Sequence, residues 1–206
     1  MKNRFERDLP STYKPVFTID GKDTKTGLIM NGLALLIMGI TLGIALPLWL
    51  ISGAPYVTLT PIQSISALLI FAFSMLFYIV MHELVHGIAY KALTRERLTF
   101  GISWSCAFCG VPNIYVYRGA ALVALVAPLI TFTLILVPLC IWMYFVHPIY
   151  YLYSVILLAM HLGGCVGDDY VTLLFLFKFK DKTTLVQDTG PKQTIYVKEV
   201  LDDGQE

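Results

Sequence analysis

Four long apolar stretches, three of them without a charged residue, constrain this chain more than any other feature. Leu28–Ile51 runs 24 residues without one. Ile62–Met81, Ala120–Val146 and Pro148–Phe177 repeat the pattern, the last interrupted only by His161, Asp168 and Asp169. About 20 apolar residues suffice to cross the hydrocarbon core of a bilayer, so each stretch predicts a transmembrane helix. Composition agrees: 57% of residues are hydrophobic and 14% charged, against about 45–50% and about 25% in soluble domains. So few charges cannot cover a water-facing surface, and membrane lipid is the expected solvent. The net charge of +1 is uninformative about nucleic acid, but no basic stripe runs along any segment, so no nucleic-acid partner is expected. The four cysteines are scattered, not spaced as a disulfide framework. The first apolar run begins too late, and after too polar a start, for a cleavable signal peptide.

Charge placement orients the four predicted helices. Of the fifteen Lys and Arg residues, six fall in residues 1–27, four in 91–118 and five in 178–206. The remaining connections, about 52–61 and about 147–148, have none. Four crossings put the three charged segments on one side. The positive-inside rule makes that side the cytoplasm. The expectation is a multi-pass cell-membrane protein with both termini cytoplasmic.

In Leu98–Ser105, apolar Leu98, Phe100, Ile102 and Trp104 alternate with small or polar residues, which is strand periodicity. Val111–Tyr117 is rich in Tyr, Val and Ile and is expected to pair back across Cys109-Gly110. Gln193–Val200 reads as a further single strand. The predicted fold class is an all-α membrane protein of four transmembrane helices, with a short β-hairpin-like segment between helices 2 and 3. Residues 1–27 are expected as a cytoplasmic N-terminal segment, 28–177 as the transmembrane core and 178–206 as a cytoplasmic tail. Both end segments read as small water-soluble appendages.

Ionisable groups inside a bilayer cost several kcal/mol and signal function. Here they form two clusters, His82-Glu83-Leu84-Val85-His86 and His161 with Asp168-Asp169. Histidines at i and i+4 share a helix face, so both imidazoles can reach one ion. Zinc accepts such nitrogens at about 2.0–2.1 Å. Glu83, beside the first ligand, is placed to take a proton from a metal-activated water and pass it to a leaving amine. A hydrolytic site commonly uses three protein ligands. Asp168 lies ten residues before Lys178, as His82 and His86 lie nine and five before Lys91, so their depths match. Asp168 is the expected third ligand. Asp169, about 100° around the helix, and His161, seven residues before Asp168 on the same face, stay open as alternatives. The expected cofactor is one Zn²⁺ ion.

These residues resemble the intramembrane zinc metalloproteases of the site-2 protease type over about residues 64–177. The shared layout is an HELVH helix, a strand-like segment, a plain helix and a helix bearing an Asp. The chain is more closely similar to the DUF3267 family of zincin peptidases, which pairs an HExxH helix with a later Gly-Asp, here Gly167-Asp168. The resemblance implies a metallopeptidase with ligands His82, His86 and Asp168 and catalytic Glu83, acting on a peptide or transmembrane segment. Gly-Asp-Asp departs from the Asp-Gly context usual in site-2 proteases. Intramembrane His and acids also suit a metal-ion or proton transporter or channel, and a non-cleaving metal-binding pseudoprotease is a third class. Cys106 and Cys109 read as apolar cysteines, His147 as a turn residue, and Trp49, Trp142 and Tyr150–Tyr153 as interfacial aromatics. Pro112 and Asn113 read as a turn.

Overall fold

The computed structural model describes residues 4–51, 60–102 and 107–199. Among the described residues, four helical stretches are long and apolar enough to cross a membrane. They are α1 (Thr24–Ile51), α2 (Pro61–Thr94), α3 (Arg118–Val146) and a composite fourth stretch. The fourth comprises α4 (Pro148–Gly164), α5 (Val166–Leu173) and a π-helical turn, Leu174–Lys178. α2 begins with a capping box. The Thr60 hydroxyl accepts from the Gln63 backbone and the Gln63 side chain accepts from the Thr60 N–H, with Pro61 in the first turn.

The bundle is apolar outside, and its polar helix residues near the site turn inward. Phe73, Leu76, Phe77, Val80 and Ile88 of α2 are exposed, while Tyr78, His82, His86, Gly87, Tyr90 and Thr94 are buried. This inversion is what lipid as solvent requires: apolar side chains lose nothing facing it, and polar ones turn inward. α1 packs on α4, where a Cβ at Gly163 would meet Met38 Cγ at 2.7 Å and the Ala34 carbonyl at 2.9 Å. The missing side chain is what lets these helices approach so closely.

The expectation of an all-α chain is corrected by a five-stranded antiparallel sheet. Its order is β1 (Phe5–Glu6), β5 (Tyr115–Tyr117), β6 (Leu185–Asp188), β7 (Lys192–Lys198) and β2 (Tyr13–Asp20). The two ends, expected as separate appendages, pair directly: Thr18 stands opposite Thr194 and Asp20 opposite Lys192. The three charged segments thus meet in one sheet at one end of the bundle. Between α2 and α3, β3 (Thr99–Ile102) and β4 (Ala107–Gly110) form a two-stranded hairpin, with Phe100 opposite Cys109. Its second strand is not Val111–Tyr117, because Tyr115–Tyr117 is drawn into the larger sheet between β1 and β6. Ser103, Trp104, Ser105 and Cys106 lie outside the described residues. Pro112-Asn113 forms a turn, and the His147 ring accepts from the Ile149 N–H at the start of α4.

The main core lies where sheet meets bundle, from Tyr90 and Ala121 through Phe175 to Val186 and Ile195. Asp188 is buried in this region. It accepts from the Tyr90 hydroxyl at 2.7 Å, the Gly190 N–H at 2.9 Å and the Gln193 amide at 3.3 Å. The β6–β7 turn needs glycine at 190, where φ is 96° and a Cβ would overlap the Phe108 ring.

Burial pushes the Asp188 carboxyl up to about 6, against the hydrogen bonds from Tyr90 and Gly190 that favour its charge. The folded-state value lies above the unfolded value of 3.8, so folding favours the protonated acid. The stability this gives is complete below that unfolded value and lost as pH rises through about 6. The loss is on the order of 3 kcal/mol. In metal-free protein, the stability of wild type minus that of Asp188→Asn is expected to fall over this window and then level. Parallel melting curves across the same pH range would refute it.

Candidate metal centre

α2 carries Tyr78, His82, His86 and Tyr90 at intervals of four, so all four lie on its buried face. The His82 and His86 rings stand 5.0 Å apart, centroid to centroid. The small residues Ala121 and Ala124 let α3 come against this face, and both are fully buried. Pro128 then creates an acceptor. It has no N–H, so it cannot claim the Ala124 carbonyl four residues back. His86 Nδ1 donates to that carbonyl at 2.9 Å. A neutral imidazole that donates from Nδ1 has its lone pair on Nε2.

Asp168 comes from the first turn of α5. Its Oδ2 lies 3.1 Å from His86 Nε2 and 3.4 Å from His82 Nε2. These three residues offer ligand atoms within 4.8 Å of one another. Tetrahedral ligands at about 2.0–2.1 Å from zinc stand about 3.3 Å from each other. The Asp168 distances match that edge length, so the donor set fits the ion. Asp169, next on the helix, is not part of this group. His161 is fully buried and also close to His82, but on the opposite side of its ring. With Cys165 it forms a second group around His82. The Tyr78 hydroxyl stands in that second group, hydrogen-bonded to both imidazoles at 2.9 and 2.8 Å. The space between those ligand atoms is therefore filled by a side chain.

Glu83 lines a cavity of about 380 Å³ that also reaches His82, His86 and Asp168. Met30 and Asn31 of α1, Phe108 and Cys109 of β4, and Asp188 close other walls. The backbone N–H of Cys109 hydrogen-bonds the Glu83 carboxylate, so the hairpin holds this side chain beside the histidines. Gly87 makes room for that hairpin: a Cβ there would meet the Phe100 ring at 2.7 Å. Burial pushes the Cys109 thiol up to about 12, which suits an inert apolar cysteine better than a thiolate.

Tyr78, Thr133 and Asp188 escaped the sequence reading. Tyr78 alone had a signal, four residues before His82 on the same helix face. Thr133 and Asp188 reach this region only through folding.

Comparison with curated proteins and with solved structures returns no match. The model of the DUF3267 family, described as putative zincin peptidase, matches residues 75–184. That span is more than half of the chain and contains His82, Glu83, His86 and Asp168. A zincin peptidase family implies zinc as the metal and peptide hydrolysis as the chemistry. The chain, with four helical stretches long and apolar enough to cross a membrane, belongs to the DUF3267 family.

Proposed function

We propose that this chain is an integral-membrane zinc peptidase that cleaves peptide bonds in or near the bilayer. His82, His86 and Asp168 are the metal ligands and Glu83 is the general base. The observation that carries this reading is the convergence of both Nε2 atoms on one Asp168 oxygen, at 3.1 and 3.4 Å. Bound zinc supplies Lewis acidity, polarising a carbonyl and lowering the pKa of water.

The protein's own groups do the rest. Glu83 takes a proton from the attacking water and returns it to the leaving amine. Cys109 N–H keeps that carboxylate aimed into the cavity. Phe108 and Cys109 line the cavity, so the β3–β4 hairpin is placed to hold an extended substrate by strand addition. A transmembrane substrate would unwind before cleavage. The charge distribution supports a cytoplasmic sheet and cytoplasmic termini. It also supports the chain division at residues 27 and 177.

The test uses the full chain purified in detergent. One zinc per chain is expected by elemental analysis. Chelation is expected to abolish cleavage of an unfolded apolar peptide, and zinc to restore it. Protein without stoichiometric metal, or cleavage indifferent to chelation, would sink the proposal. Zinc flux into proteoliposomes without cleavage would assign transport instead.

A further inference from the structure

A zinc ligand is useful only in the right tautomer. For His86 the Ala124 carbonyl decides it. Among the described residues, no carbonyl stands at His82 Nδ1. Its partner there is the Tyr78 hydroxyl at 2.9 Å, and a hydroxyl can either donate or accept. Were Tyr78 to donate, His82 would carry its proton on Nε2 and could not ligate. The next bonds remove this ambiguity. Tyr78 Oη lies 2.8 Å from His161 Nδ1, and His161 Nε2 lies 3.1 Å from Thr133 Oγ1. The Leu129 carbonyl, one turn before Thr133 on α3, is a further acceptor beside the same imidazole. A carbonyl only accepts, so the His161 ring donates on that side. Its Nδ1 then accepts, and Tyr78 must donate to it. That leaves a hydroxyl lone pair for His82 Nδ1–H, and Nε2 is left bare toward Asp168.

We propose that Tyr78, His161 and the α3 acceptors Thr133 and Leu129 form a one-directional hydrogen-bond chain that positions His82 as a metal ligand. The chain rests on the zinc reading of the same site, and none of its members is a metal ligand in that reading. Tyr78 and His161 are positioning residues. Their surroundings enforce the direction. His161 is fully buried and Tyr78 is 6% exposed. The Phe132 ring packs edge-on to Tyr78 at 5.1 Å and parallel to His82 at 6.3 Å. The Cys165 thiol, 3.7 Å from His161 Nδ1, can donate to that nitrogen in the same arrangement.

Zinc affinity of the full chain in detergent, by competition with a chromophoric chelator, tests the proposal. The visible spectrum of the Co²⁺ form and the melting of metal-free protein accompany it. Tyr78→Phe and His161→Leu are expected to weaken zinc by roughly 10–100-fold, with an altered Co²⁺ spectrum and unchanged metal-free melting. His161→Gln is expected to recover most of the affinity, because its amide oxygen accepts from Tyr78 as Nδ1 does. Wild-type affinity in Tyr78→Phe overturns the chain, and so do equal affinities for His161→Leu and His161→Gln. Should Tyr78→Phe melt early without metal, the Leu and Gln pair decides, since both lack the imidazole. Wild-type protein that binds no zinc refutes the metal site itself, a result separate from any difference among variants.

Discussion

Glu83→Gln is expected to slow peptide hydrolysis by roughly 10²–10⁴-fold, the range a positioned acid–base group supplies, while zinc stays bound. The substitution keeps shape and volume. Its amide oxygen can still accept from the Cys109 N–H that holds the native carboxylate. Only the capacity to take and return a proton is lost. His82 and His86 flank this position on α2 and keep their own partners at Tyr78 and Ala124. Turnover of an apolar peptide and zinc content, measured on one preparation, check both halves. Cleavage at the wild-type rate would remove Glu83 from the chemistry. Loss of zinc would make it a ligand.

Asp168→Ala is expected to cost zinc affinity more than the roughly 10–100-fold that outer hydrogen-bond partners cost. It deletes the one anionic donor at 3.1 Å from His86 Nε2 and 3.4 Å from His82 Nε2. Two neutral imidazoles would then face the dication alone, in surroundings where an uncompensated charge is expensive. Asp169→Ala is expected to keep its zinc, because that residue is not among the groups that converge on the histidines. Elemental analysis of both variants separates them. Zinc retained in Asp168→Ala would reduce the carboxylate to an ion-pair partner of the two rings. Zinc lost from Asp169→Ala would move the ligand one residue along the helix.

The sheet shows where local reading runs out. β1 has two residues and β5 three, too few to show a period. β2 contains Pro15, which argues against a central strand, and the ladder shifts register between Pro15 and Phe17. It is tolerated because β2 is an edge strand. Each strand is stabilised by partners far away in the chain, so no window of sequence could display the whole. The hairpin was legible in its first strand, where Phe100 and Ile102 alternate. It was misread in its second, because Val111–Tyr117 has strand composition whichever sheet recruits it.

What the sequence by itself determined is set by properties local to each segment. Burial in hydrocarbon is decided residue by residue, so the four apolar spans could be read directly. The 3.6-residue turn is equally local, and it placed His82, Glu83 and His86 on neighbouring positions of one helix. Helical phase even put His161 and Asp168 on a common face. Only the tertiary structure decided how they divide His82 between them. Asp168 meets its Nε2 directly, while His161 reaches its Nδ1 through Tyr78. That division depends on how the fourth helical stretch packs against α2 and on where Pro128 leaves a carbonyl free on α3. Such contacts belong to three segments at once, and no single segment encodes them.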